Sequence, residues 1–361
     1  MKHLHLLYTF LFGVAVFLFF GLAYPHHLHY QEQYQLFLFD STYVWEIVRQ
    51  PGGVADLLGR FCTQFFLFAW VGAFIIALLL SVVQLLTLRL INVQWLYGLS
   101  FVPSFLLWLY LLDENALMSG VWAILLTLFA AWCIVRLTSG WVRRILLIIA
   151  IPILYILVGP VCLPIPADGL WLGIHYHRYP TVVPKLLWAA ALSVFVLTFV
   201  VRVCQKWADA SRPSFLVPLC SFAVVAVVMG SLVGRNANIK AEKVMQYDFM
   251  ACHQQWNRIL QTAGAEKPNN QIGVTIQNLA LAMRGMLVDH LYDYRQNGIL
   301  GLLPDVATDA TSPLPTAEAY YQLGMISMAQ VRSRRCPWWE PRAGWHGDLI
   351  TLPRERRAHG G

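Results

Sequence analysis

Seven apolar runs, each close to the roughly 20 residues that cross a hydrocarbon core as a helix, constrain this chain more than any motif in it. They fall at about Leu6–Ala23, Phe65–Leu88, Trp95–Leu112, Leu117–Val135, Ile145–Leu163, Val183–Val201 and Phe215–Val233. A soluble monomer of 361 residues that is 58% hydrophobic and 12% charged would leave large apolar patches in water. Helices in a bilayer satisfy their backbone internally and let lipid solvate the apolar faces. The fold class is therefore all-α: a polytopic transmembrane bundle of about seven spans, followed by a small extracytoplasmic helical domain. Pro103, Pro152 and Pro160 fall inside spans and mark expected kinks.

Charge sets the orientation. Loops on one side carry Lys2, Arg89, Arg136, Arg143, Arg144, Arg202, Lys206 and Arg212 against Asp209 alone. The opposite loops set Arg49, Arg60, Arg178 and Lys185 against Glu32, Asp40, Glu46, Asp56, Asp113, Glu114 and Asp168. The positive-inside rule makes the N-terminus cytoplasmic, and seven spans leave everything after Arg235 in the periplasm of an inner-membrane protein. The formal charge of +7 orients the protein rather than binding nucleic acid, because the basic residues flank spans. The first run could be read as a signal peptide ending at Gly21-Leu22-Ala23, but its length favours a retained anchor.

The chain divides into a transmembrane domain over residues 1–234, a helical-repeat-like region over 235–330 and a tail over 331–361. Inside the first, the loop 25–64 is patterned. Asp40-Ser41-Thr42 can cap a short helix with Tyr43, Val44, Ile47 and Val48 as its apolar stripe; Pro51-Gly52-Gly53 breaks it, and Val54 to Arg60 restarts a helix. These read as juxtamembrane helices in the headgroup region, or as a lid packed on the bundle; the lid is favoured because such segments need no further task. His26, His27, His29, His175 and His177 with Asp40 and Asp168 could supply zinc ligands, yet His and Tyr also populate headgroup belts, so no metal or cofactor is expected. Five of the cysteines lie in or beside spans, leaving Cys252 and Cys336 outside, and no disulfide framework follows.

After Arg235, Ala237–Ala263 reads as two amphipathic helices burying Val244, Tyr247, Phe249, Trp256, Ile259 and Leu260, with a loop at Gly264–Asn270. Ile272–Tyr294 continues helical, and Thr316-Ala317-Glu318 opens a further helix. The spacing Tyr320-x2-Leu323-Gly324 and the stretch Gln255-Trp256-x2-Ile259-Leu260 are similar to tetratricopeptide-type repeats. From Arg332 onward come seven arginines in 30 residues, no lysine, and Cys336-Pro337-Trp338-Trp339. That tail reads either as a basic segment for acidic lipid or polymer, or as translation outside the native frame. The second is favoured, since the tail disagrees with everything before it.

The run Pro25-His26-His27-Leu28-His29-Tyr30-Gln31-Glu32-Gln33-Tyr34-Gln35-Leu36-Phe37-Leu38, with Pro51-Gly52-Gly53, resembles an uncharacterised family of multi-spanning proteins from Bacteroidota. Asn278-Leu279-Ala280-Leu281-Ala282, Asp289 and Asn297-Gly298 are similar to that family's outer helical region. The resemblance covers most of residues 1–330 and implies an envelope location in a Gram-negative anaerobe and a longer helical repeat. It implies no activity and no functional residues.

Two function classes follow. The first is an envelope scaffold or receptor, anchored in the lipid bilayer and offering a periplasmic helical surface to a protein or peptide. The alternative is a polyprenyl-phosphate-sugar-dependent membrane glycosyltransferase, with Asp40 or Glu32 as base and Arg178 or Lys185 on the lipid phosphate. Glu32 and Asp40 stand apart, however, where that class usually pairs its acids. Spans two to seven hold no ionisable residue well inside their limits, which argues against a transporter.

Overall fold

The computed structural model describes residues 4–33, 35–50, 52–91, 97–137, 140, 173–178, 182–208, 216–303 and 313–334. The expected fifth span, Pro152, Pro160, Asp168 and the tail beyond residue 334 lie outside them. Among the described residues every regular element is helical, apart from one isolated bridge between Ala116 and His177. Among the described residues four helices are long and apolar enough to cross a bilayer: His5–Ala23, Ala69–Ile91, Met118–Leu137 and Leu219–Asn236. They make the chain a membrane protein of the all-α class. The structure forms two compact units, Met1–Leu28 with Gln35–Ala237, and His29–Tyr34 with Asn238–Gly361.

The first unit begins with α1 (Leu4–Leu18), which ends in a π turn at Phe19–Ala23, and the start of α2 (Pro25–Gln33). Two short helices follow, α3 (Ser41–Val48) and α4 (Gly53–Thr63), then the span α5 (Ala69–Ile91), the shorter α6 (Val102–Tyr110) and the span α7 (Met118–Leu137). Helices α8 (Lys185–Ala208) and α9 (Leu216–Asn236) follow among its described residues. Packing runs α1 on α5, α5 on α6 and α7, α4 on α7, and α8 and α9 on α6. The core includes an aromatic cluster: Phe12 meets Phe101, Phe105 and Trp108 edge-on at centroid distances of 5.4, 5.0 and 6.0 Å.

A buried polar chain crosses this core. The Thr9 hydroxyl donates to Gln84 Oε1 at 2.8 Å, Gln84 Nε2 donates to Ser100 Oγ at 2.8 Å, and Ser100 donates to the Tyr97 carbonyl at 2.6 Å. The Ser104 hydroxyl donates to the Leu80 carbonyl at 2.8 Å. With no water in hydrocarbon, these bonds join α1, α5 and the start of α6 where apolar contact alone discriminates poorly between registers.

Within the third expected span, Trp95–Leu112, the helix among the described residues is shorter than the apolar run. A 3-10 turn at Tyr97–Phe101 leads into α6, giving the helical stretch Tyr97–Tyr110, which falls short of a full crossing. Pro103 sits in the first turn of α6 rather than at a kink. Lacking an N–H, proline suits a helix start, where that donor has no partner anyway.

The second unit contains α10 (Ile239–Cys252), α11 (Trp256–Glu266), α12 (Gln271–Met283), the single turn α13 (Leu287–His290), α14 (Pro313–Gln322) and α15 (Ile326–Arg334). Tyr247, Met250, Ala251, Ile259, Ala263, Ile276 and Ala280 form its main core. Tyr30 packs with Ala241 and Met245, and His29 stacks on Phe249 at 4.5 Å, so the end of α2 is part of this unit. Asn238 and Asn270 cap α10 and α12, accepting from Ala241 and Gly273 N–H at 3.1 and 2.8 Å. The loop expected from Gly264 starts later: α11 runs through Glu266 and stops at Lys267, whose φ is +49°. Burial of Ala263 against the core holds that last turn helical despite the adjacent glycine.

Candidate functional site

Among the described residues of the first unit, a polar grouping is built from three stretches that end or join its helices: α3 with α4, residues 110–117, and residues 173–178. Helix α3 starts at Asp40, whose Oδ2 accepts from the Tyr43 N–H at 3.3 Å and from the Thr42 hydroxyl. The Thr42 hydroxyl, then the Tyr43 N–H, hold this exposed carboxyl below the usual range. Gly52 then turns the chain at φ +69°, and a Cβ there would lie 2.5 Å from the Tyr176 hydroxyl oxygen. Only glycine meets both conditions without strain.

Helix α4 carries Asp56 in its first turn and Arg60 in its last, one turn apart on one face. Arg60 Nη2 and Nε reach Asp56 Oδ2 at 2.9 and 3.0 Å, and Nη1 reaches the Tyr43 hydroxyl at 3.4 Å. Tyr43 in turn donates to the Leu36 carbonyl at 2.6 Å. Burial works against the Arg60 cation, but Asp56 and Tyr43 outweigh it and hold the guanidinium firmly charged. His175 feels this pair: burial pushes its imidazole down, partly opposed by Asp56 and reinforced by Arg60.

Residues 110–117 and 173–178 are stitched together. The Arg178 N–H donates to the Asn115 carbonyl at 2.8 Å, and the Leu117 N–H to the Tyr176 carbonyl at 3.2 Å. The Tyr110 hydroxyl lies between them, 3.0 Å from the Leu117 carbonyl and 2.5 Å from that of Tyr176. His177 Nε2 meets Asp113 Oδ2 at 3.0 Å. Burial alone would raise the Asp113 carboxyl, but His177 and the Asn115 N–H bring it below its ordinary value. His27 is fully buried; burial lowers it to about 4, against a hydrogen bond with the Leu111 backbone and the charge of Asp113. It is neutral at neutral pH.

Asp40 is a helix cap. Arg178 is wholly buried in the first unit. Lys185 opens α8 and is exposed. Glu32 stands in the last turn of α2, in the part that belongs to the second unit. Among the described residues no three His, Cys, Asp or Glu side chains are grouped to hold a metal ion. Sequence reasoning passed over Asp56, Arg60, Tyr43, Asp113 and Tyr110 as site residues. The i, i+4 spacing of Asp56 and Arg60 was the one local signal available.

The second unit shows a different surface. Val288 and Tyr292, one turn apart, are 90% and 88% exposed, and Ile299, Leu300, Leu302 and Leu303 continue the apolar exposure. A cleft of about 420 Å³ is lined by Gln254, Gln255, Trp256, Asn257, Arg258 and Arg284. Residues 1–333 match the model of a family described as a family of unknown function (DUF6057). No curated protein and no solved structure matches the chain.

Proposed function

We propose that this chain, which belongs to the DUF6057 family of unknown function, is an envelope scaffold or receptor. Its first unit anchors it in a bacterial inner membrane, and its second unit offers a repeat-like helical surface in the periplasm to a protein or peptide. The loop charges support that orientation, with basic residues concentrated on the side of Lys2. The exposed apolar run over 288–303 carries the reading, because soluble surfaces seldom leave large side chains such as Val288 and Tyr292 in water without a partner. The packed successive pairs α10–α11 and α14–α15 support the repeat-like description, the second pair turning at Gly324 with φ +76°. Arg258 and Arg284 beside Trp256 favour a partner that brings a carboxylate to the cleft.

The glycosyltransferase reading is the weaker of the two, because the carboxylate of Asp40 is engaged in capping α3 and Arg178 is enclosed. The test is photocross-linking in living cells from positions 288 and 292, with and without Arg284→Glu. One recurrent protein adduct, reproduced with the purified partner and weakened by Arg284→Glu, supports the scaffold. No protein adduct from either position, with the chain at normal abundance, refutes it. Sugar transfer from a polyprenyl phosphate, abolished by Asp40→Asn or Glu32→Gln, would put the enzyme first.

A further inference from the structure

Between α2 and α3 the strap 35–39 runs beside α4, held there by hydrogen bonds at its first two residues. The Thr63 hydroxyl donates to Gln35 Oε1 at 2.8 Å, Gln64 Nε2 donates to the Gln35 carbonyl at 3.0 Å, and Tyr43 donates to the Leu36 carbonyl. The strap's aromatic side chains form a band with those of α4 and its following turn. Phe37 meets Phe39 at 5.0 Å and Phe61 at 5.4 Å, Phe39 meets Phe61 at 6.5 Å, and Phe61 meets Phe65 at 5.3 Å. Phe39 is 89% exposed, and Phe61 and Phe65 are exposed as well.

Two observations decide what covers the band. It is continuous with a membrane span: after Phe65 come Leu67, Phe68, Trp70 and Phe74, all exposed, along the entry to α5 and its first turns. It is also free of charge. Arg60, next to Phe61 in sequence, turns its guanidinium to Asp56 and Tyr43. At the other end of the strap the exposed Asp40 marks a return to water.

We infer that Phe37, Phe39, Phe61 and Phe65 form a lipid-embedded band, so that the partner of the α3–α4 loop is the phospholipid leaflet on that side of α5. The loop is then neither a water-facing lid nor a docking face for protein. Acyl chains lie along Phe37, whose ring is 6.0 Å from that of Tyr43, which brings lipid to the edge of the Asp56–Arg60 pair. On α3, Trp45 stacks beneath the Arg49 guanidinium at 5.2 Å, an amphipathic pair suited to headgroup depth.

The test places p-benzoylphenylalanine at position 39, 61 or 46, one at a time, in the full chain reconstituted into phosphatidylethanolamine–phosphatidylglycerol vesicles. Glu46 is an exposed polar position on α3 and serves as the reference. After irradiation, intact-mass analysis is expected to show phospholipid adducts at 39 and 61 several-fold above those at 46. Equal yields at all three positions, or adducts to a second copy of the chain, overturn the inference. The wild-type protein gives an independent readout by hydroxyl-radical footprinting in the same vesicles. Phe39 should be strongly protected while Tyr292, equally exposed in the fold, is labelled; comparable labelling after correction for intrinsic reactivity overturns the inference.

Discussion

Replacing Gly59 by alanine tests whether α4 is seated on α7 by backbone contact. In an open helix interior the same change stabilises by about 1 kcal/mol, since glycine is the poorest helix former after proline. Here a Cβ would lie 2.5 Å from the Ser119 nitrogen, 2.8 Å from its Cα and 3.1 Å from the Met118 carbonyl carbon. All three atoms are backbone, so no side chain can swing aside. Ordinary carbon contacts begin near 3.5 Å, so α4 must retreat by about 1 Å. Overpacking of this kind costs about 1–3 kcal/mol, which exceeds the gain in propensity. The expected outcome is a net loss on the order of 1 kcal/mol, or about 2–4 °C in Tm for a unit of this size. Thermal unfolding in detergent reads the total, and maleimide labelling of Cys62, with the other cysteines replaced, reads the local event. Cys62 is buried on α4, and burial pushes its thiol up, so its labelling should accelerate in Gly59→Ala. Gly264 is the control: it is helical with nothing within 4 Å of its would-be Cβ, and Gly264→Ala should stabilise the second unit. If Gly59→Ala stabilised like Gly264→Ala and left Cys62 protected, the close α4–α7 contact would be wrong.

Three further outcomes are expected. The His27 imidazole, lowered to about 4 from 6.5, binds a proton more readily when unfolded, so its contribution is complete above pH 6.5 and fades as pH falls toward 4. That amounts to about 3 kcal/mol, and His27→Gln should flatten the pH dependence of Tm across this window. Asp40→Ala removes the α3 cap and should lower Tm in thermal unfolding. Gln84→Ala removes the bridge between the Thr9 and Ser100 hydroxyls, which keep the His5 and Tyr97 carbonyls as partners, and should cost about 1 kcal/mol in detergent unfolding, whereas the double change of Thr9 and Gln84 to apolar residues should cost less than the sum of the single changes.

What could be read in advance was local. The α3 helix follows from Asp40 and the apolar stripe behind it, because a cap acts on N–H groups within one turn. The break at Gly52-Gly53 follows from glycine alone, although nothing local indicated that Tyr176 closes over Gly52. Pro103 was visible, but whether it kinks a span or starts a helix depends on which carbonyls the preceding turn leaves unpaired. His27 looks like its neighbours in sequence and differs from them only by burial. His177 and Asp113 stand 64 residues apart, and Tyr110 and Tyr176 stand 66 apart. No periodicity links such pairs.

The sequence by itself determined that the chain is helical and bound to a membrane, because hydropathy over about 20 residues outweighs every other local term. It also determined where charge collects along the loops and where α3 begins. Tertiary structure alone decided the rest: that Asp56 and Arg60 close on Tyr43 near His175, that Gln84 bridges Thr9 and Ser100, and that Asp40 is occupied as a cap while Arg178 is enclosed. The physical reason is range. Hydrophobic transfer and capping act within a segment, whereas burial and pairing depend on which distant segments the bundle brings together.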